Sequence, residues 1–343
     1  MSLSENRRNK IKEYILEKIA NNEDVVKKTC ACYGVSETTV YRYLQELREE
    51  GAIERKQRGK YILVEKELDF MYRNIGLEED TIYTRDIEPI LLQQNLPENV
   101  MKIWCYVFTE MLNNAIEHSE TDKIFCSMYV SKARVQMIIR DDGIGIFKKI
   151  KEYYNYASLD DAIGELFKGK LTTDSANHTG EGIFFSSRVM DGFVVVSSGK
   201  YFTHDDCYEN IVTLEEDDLL NKFLKDKGTV VLMELANRSR KELREVFDMF
   251  SDEEEGFNKT SIPMKNIFGN SFPVSRSQAR RLTNRLDKFT EVELDFSGVS
   301  EIGQAFAHEL FVKFERLKPD VKIKVINANE EVQGMINRVK KTK

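Results

Sequence analysis

Residues 122–143, DKIFCSMYVSKARVQMIIRDDG, alternate apolar and polar side chains in two runs about a break at Ser131 and Lys132. A period of two puts every second side chain on one face of a pleated strand, so the stretch is constrained to two antiparallel strands with one face buried. The second run ends unusually. RDDGIGIF, Arg140 to Phe147, delivers Asp141 at the strand end and follows it with Gly143 and Gly145, split by an isoleucine. Glycines beside a carboxylate let the backbone approach a flat partner where a Cβ would intrude. Asp-Gly also favours an ordinary hairpin reversal, so this stretch alone leaves both readings open.

Three further stretches narrow the choice. VFTEMLNNAIEHS, Val107 to Ser119, has the period of a helix: Phe108, Met111, Leu112, Ala115 and Ile116 form one apolar stripe. Glu110 and Asn114 stand one turn apart on an adjoining face, with His118 a turn further, a position that fits a packed or solvated histidine as well as one at a cleft. TGEGIFFS, residues 179–186, puts Gly180 and Gly182 at a helix start, where exposed N–H groups make a ready anion site. KGTVVLMEL, Lys227 to Leu235, reads as a strand opening with Gly228 and Thr229.

In this order the four stretches resemble the nucleotide-binding domain of the GHKL superfamily, named for gyrase, heat-shock chaperone, histidine kinase and mismatch-repair ATPases. Glu110, Asn114 and Ala115 match ExxxNA; Asp141, Gly143 and Gly145 match DxGxG; Gly180 and Gly182 match the GxG box; Gly228 and Thr229 match the closing Gly-Thr. The resemblance covers residues 95–237 and implies ATP as ligand. It gives Asp141 the adenine amino group and Asn114 a Mg²⁺ ion bridging the phosphates, as oxygen ligands suit that ion. It makes the polar stretch 148–178 a lid, with Lys168 and Lys170, or Thr172 and Thr173, near phosphate; an ordinary helix and surface loop fit that stretch equally. In the ATPase and serine-kinase branches a glutamate stands where Glu110 does and polarises an attacking water or hydroxyl, so its presence permits general-base chemistry. No histidine precedes Glu110, which argues against a histidine autokinase.

The ends read differently. Residues 7–21 repeat apolar residues at Ile11, Tyr14, Ile15 and Ile19, the pattern of a helix with one buried face. A short helix closed by Gly34 follows, then one capped by Ser36 and ended by Gly51, then a hairpin with its bend at Gly59. Residues 1–66 resemble a winged helix-turn-helix domain. The resemblance implies DNA as partner, with Thr38, Thr39, Tyr41 and Arg42 toward bases and Arg55, Lys56, Arg58 and Lys60 toward phosphates; a protein-docking or dimerising module is the alternative. Lys and Arg exceed Asp and Glu there by 14 to 11. So small a surplus gives a monomer modest affinity, and a homodimer would add contacts.

At the other end LDFSGVSEIGQAFAHEL lies within alternating helices and strands, an α/β layer. It resembles STAS domains, and more closely a STAS-like domain found after GHKL domains, over residues 260–335. In the STAS antagonists of anti-sigma factors a serine accepts phosphate where this chain has Gly303 and Gln304, leaving Ser297 or Ser300 to be tested. Docking on the ATP domain or another subunit is the role expected of it.

At 343 residues the chain exceeds one ordinary core. The expected fold is an α+β multidomain arrangement of a winged helix (1–66), a connector (67–94), a GHKL α/β sandwich (95–237), a linker (238–259) and a STAS-like α/β domain (260–343). Five scattered cysteines, Cys30, Cys32, Cys105, Cys126 and Cys207, fit reduced thiols, and the Cys30–Cys32 pair lacks nearby histidines for zinc. No apolar run nears the ~20 residues of a membrane span, and the N-terminus lacks a signal peptide's apolar stretch, so a cytoplasmic protein is expected. Together these readings describe an ATP-responsive bacterial transcription regulator. The alternatives are a serine/threonine kinase or slow ATPase acting on a partner through Glu110, and a scaffold with a degenerate pocket.

Overall fold

The structure, a computed structural model, describes residues 5–57, 59–171, 180–204, 227–252, 256–269 and 272–341. At the N-terminus, α1 (Glu5–Ala20), α2 (Val25–Tyr33) and α3 (Glu37–Glu49) close around Ile11, Ile15, Val40, Tyr43, Leu44 and Leu47. Side chains set the helix ends. Asp24 accepts from Lys27 N at 3.0 Å and Ser36 from Thr39 N at 3.3 Å, while Gly34 leaves α2 at φ 62°. A two-stranded hairpin, β1 (Ile53–Gln57) and β2 (Lys60–Leu63), follows.

Only Val64 and Glu65 separate β2 from β3 (Lys66–Arg73), the edge strand of the central sheet. Residues 67–73 of the stretch read as a connector (67–94) therefore belong to that sheet, and most of its remainder is helical. Leu68, Phe70 and Tyr72 alternate with Glu67, Asp69, Met71 and Arg73, but Leu68 and Phe70 are only half-buried and Met71 is exposed, which weakens the sequence signal. The remaining strands are β4 (Lys123–Val130), β5 (Arg134–Asp141), β6 (Gly192–Ser197), β7 (Lys200–Thr203) and β8 (Thr229–Ala236), antiparallel in the order β3-β4-β5-β8-β6-β7. One face is covered by the helical stretch 79–92, comprising α4 (Glu79–Ile82), a π-helical turn and α5 (Glu88–Leu92), and by the 21-residue α6 (Glu98–His118). Trp104, Val107 and Phe108 of α6 join Cys126, Met128 and Met137 of the sheet in one core. Helices α7 (Ile146–Tyr153), α8 (Leu159–Lys168) and α9 (Gly182–Val189) complete the layer.

Residues 238–259, read as a linker, form a junction instead. They contain α10 (Leu243–Phe250), β9 (Ser251–Asp252) and β10 (Gly256–Phe257), whose Phe247, Phe250 and Phe257 pack against Phe184 and Phe185 of α9. Phe247 and Phe250 of this amphipathic eight-residue helix are half-buried, so each gains part of the roughly 1.5–3 kcal/mol that full burial contributes.

The C-terminal module has a parallel three-stranded sheet, β11 (Lys259–Pro263), β12 (Glu291–Asp295) and β13 (Lys322–Ile326). It is wrapped by α11 (Met264–Phe268), α12 (Arg276–Thr283), the helical stretch 304–317 and α13 (Glu330–Lys341). Its core is continuous with Phe184 and Phe185. No helix among the described residues is long and apolar enough to cross a membrane.

Candidate functional site

On β5 the inward positions are Val135, Met137, Ile139 and Asp141, so strict alternation carries a carboxylate into the apolar register. The register sets Asp141 opposite Thr229 of β8 and Ile139 opposite Val231, which in turn faces Val195 of β6. Asp141 is only 4% exposed. Burial pushes its carboxyl above the ordinary aspartate range, against the pull of Gly143 N at 2.9 Å and Thr229 N at 3.3 Å, both of which donate to Oδ1. Thr229 Oγ1 accepts from Ile146 N at 3.0 Å, tying the start of α7 to β8.

Facing the strands, Met111, Asn114, Ala115 and His118 of α6 share one side of the helix and line the same cleft as Asp141, Thr229, Ile139 and Val231. The cleft encloses a cavity of 40 Å³. Two glycines press against α6. A Cβ at Gly143 would lie 1.7 Å from the carbonyl oxygen of Ser119, which accepts from Ile144 N, and a Cβ at Gly182 would lie 2.1 Å from Glu110 Oε2. Gly145 caps α7, and Gly180 bonds through its carbonyl to Leu171 N at 3.1 Å. Glu110 thus meets the start of α9, one turn of α6 from Asn114.

The profile of the histidine kinase-, DNA gyrase B- and HSP90-like ATPases matches residues 102–239, which contain all of these groups. The central domain is a GHKL-type ATP-binding domain. A STAS-like domain of unknown function matches residues 278–333, within the C-terminal module. Comparison of the sequence with curated proteins finds no match.

The residues present fit a magnesium nucleotide. The GHKL cleft offers a buried carboxyl on an apolar floor, framed by Gly143 and Gly182, where a Cβ would collide with Ser119 and Glu110. Among the described residues no three His, Cys, Asp or Glu side chains converge on a metal. Asn114, which lines the cleft, would supply one oxygen, with phosphate and water completing the shell, as magnesium prefers. The described cysteines, Cys30, Cys32, Cys105 and Cys126, carry free thiols; Cys207 lies outside the described residues.

Two residues expected near phosphate lie elsewhere. Lys168 is 2% exposed, and its ammonium donates to Glu165 at 2.6 Å and to the carbonyls of Arg281 and Asn284 at 3.1 and 2.9 Å. Lys170 donates to the carbonyl of Lys288 at 3.0 Å and sits over the rings of Phe257 and Phe289. Both bind the STAS-like module: the buried ammonium of Lys168 must satisfy its donors and finds the carbonyls at the end of α12, while half-buried Lys170 reaches the turn at Lys288. Thr172 and Thr173 lie outside the described residues.

Sequence reasoning missed Ser119, Ile146, Ile183 and Val195, which complete the cleft wall. The parity of β6 and the first turn of α9 were the signals that could have found them. At the N-terminus, Thr38, Tyr41, Arg42, Arg55, Lys56 and Lys60 are exposed and Thr39 is half-buried beside Ser36. Arg42 stacks on Tyr43 and pairs with Glu46 at 3.9 Å; Arg58 lies outside the described residues. Ser297 and Ser300 are exposed, whereas Gly303 packs on Val274.

Proposed function

We propose that the chain is an ATP-responsive transcription regulator, in which the GHKL domain adjusts DNA binding by an N-terminal winged helix. One observation carries the reading: the second wing strand, β2, passes through two residues into β3, the edge of the sheet whose β5 ends in Asp141. Movement of that sheet edge is transmitted to the wing with little slack. Asp141 accepts the adenine amino group, Asn114 holds magnesium, and the backbone at Gly180 and Gly182 receives phosphate. When bound, magnesium neutralises phosphate charge. Ile139, Val195 and Val231 exclude water from the base, and α3 with the wing reads DNA. A ligand shifts such an equilibrium only by its differential affinity for the two states. Fluorescence anisotropy of a labelled duplex, with and without Mg-ATP at fixed salt, tests the coupling; identical DNA affinity in both would refute it.

A second reading is favoured by Glu110. Its carboxylate lies at the glycine box, where a base would polarise a water or a partner's hydroxyl in an ATPase or serine/threonine kinase. Phosphate release, with and without candidate protein substrates, decides between sensing and turnover.

A further inference from the structure

The two segments that flank the GxG box are the ones to which the STAS-like module is fastened. Before the box, Lys168 uses its ammonium on Glu165 and on the carbonyls of Arg281 and Asn284. Thr260 of β11 donates to the carbonyl of Lys168 at 2.7 Å, Arg285 donates to that of Lys170, and Arg281 pairs with Asp161 at 3.1 Å. After the box, Arg188 of α9 donates to the carbonyl of Ser261 in β11 at 2.9 Å, and Phe184 and Phe185 enter the STAS-like core beside Phe257. Leu171 N and the carbonyl of Gly180 join the two segments.

Helix α9 consequently serves two sites at once. Ile183 lines the nucleotide cleft, and the next two residues lie in the other module's core. The cleft's 40 Å³ is well under the roughly 300 Å³ at which ligand pockets begin. Ile183 is the α9 side chain in the cleft wall, so widening the cleft from that side would displace Phe184, Phe185 and Arg188 from the module. A packed core has discrete arrangements and does not deform continuously.

We propose that the seated STAS-like module is an autoinhibitory clamp, holding α9 against the cleft and opposing nucleotide binding. The proposal rests on the nucleotide reading of the cleft. By linkage the antagonism is reciprocal: nucleotide loosens the module, and a partner that unseats the module tightens nucleotide binding by the same factor.

The test uses the full chain. Two variants weaken the seating: Arg285→Ala, after which Glu165 still pairs with Lys168, and Lys168→Met combined with Glu165→Gln, after which Arg285 keeps its bond to the carbonyl of Lys170. Calorimetric titration with a magnesium-bound nonhydrolysable ATP analogue should give a Kd lower than wild type by roughly fivefold or more, the low end of ordinary couplings. An unchanged or weaker Kd overturns the clamp. Hydrogen exchange on the unmodified chain gives an answer even if a variant misfolds. Saturating analogue should slow exchange at residues 139–146 and speed it at 279–289. Slowing at 139–146 with no speeding at 279–289 overturns the clamp while sparing the nucleotide reading. No change in either sinks that reading, and the clamp with it.

Discussion

Asp141→Asn separates the two duties of the cleft carboxyl. Both backbone donors, Gly143 N and Thr229 N, fall on Oδ1. An asparagine keeps that oxygen between them and is obliged to turn its NH2 toward the place of Oδ2. Adenine's amino group, itself a donor, then meets a donor. The lost hydrogen bond to a charged acceptor amounts to about 1.5–3 kcal/mol, or roughly a 10- to 150-fold rise in Kd at 1.4 kcal/mol per decade. Stability moves the other way. Because burial raises the folded-state pKa of Asp141, its contribution to stability is fully present below the unfolded pKa and is lost as pH rises through the folded one. Once ionised, the group is a burden that the neutral amide lacks. The variant should melt higher than wild type near neutrality, with the gap closing on acidification. Calorimetric titration with Mg-ATP and melting curves at pH 7 and pH 4 read the two effects. ATP affinity within twofold of wild type, in a variant that melts normally, would refute the assignment of Asp141 to the base.

Four other outcomes are expected. Glu110→Ala retains nucleotide while phosphate release, if the chain turns ATP over, falls by roughly 10²- to 10⁴-fold, the range of a lost general base; a rate equal to wild type would show that Glu110 has no such role. Gly182→Ala forces its Cβ to within 2.1 Å of Glu110 Oε2. A side-chain tip can swing aside, so the melting temperature should barely move while turnover drops, and a large loss of stability would contradict that account. Lys56→Ala and Lys60→Ala should each weaken DNA uniformly across sequences and lower the salt slope by about one, as measured by anisotropy over a salt series. Trp104→Ala, at a site with 0% exposure in the central core, should lower unfolding free energy by about 3–5 kcal/mol in urea titrations.

Much of the cleft was legible because it is built from local periods. Alternation along β5 carries Asp141 inward whatever lies around it, and the helical period of residues 107–119 sets Glu110 and Asn114 a turn apart. Capping is local too, as Asp24 and Ser36 show. The edge strand β3 was harder, since exposed Met71 breaks the alternation of Leu68, Phe70 and Tyr72 with Glu67, Asp69 and Arg73. Residues 238–259 look like a linker in sequence because what Phe247 and Phe250 pack against lies some 60 residues earlier in the chain.

The sequence by itself determined the strands, the helix faces and the phase in which each acidic group and glycine would stand, because backbone geometry repeats over two or 3.6 residues and needs no distant partner. Tertiary structure alone decided where the lysines of the 148–178 stretch would go. Lys168 finds its carbonyls 113 and 116 positions away. A flexible ammonium stem carries no periodic signal of its destination, and only the seating of α8 on the STAS-like module brings the carbonyls of Arg281 and Asn284 within its reach.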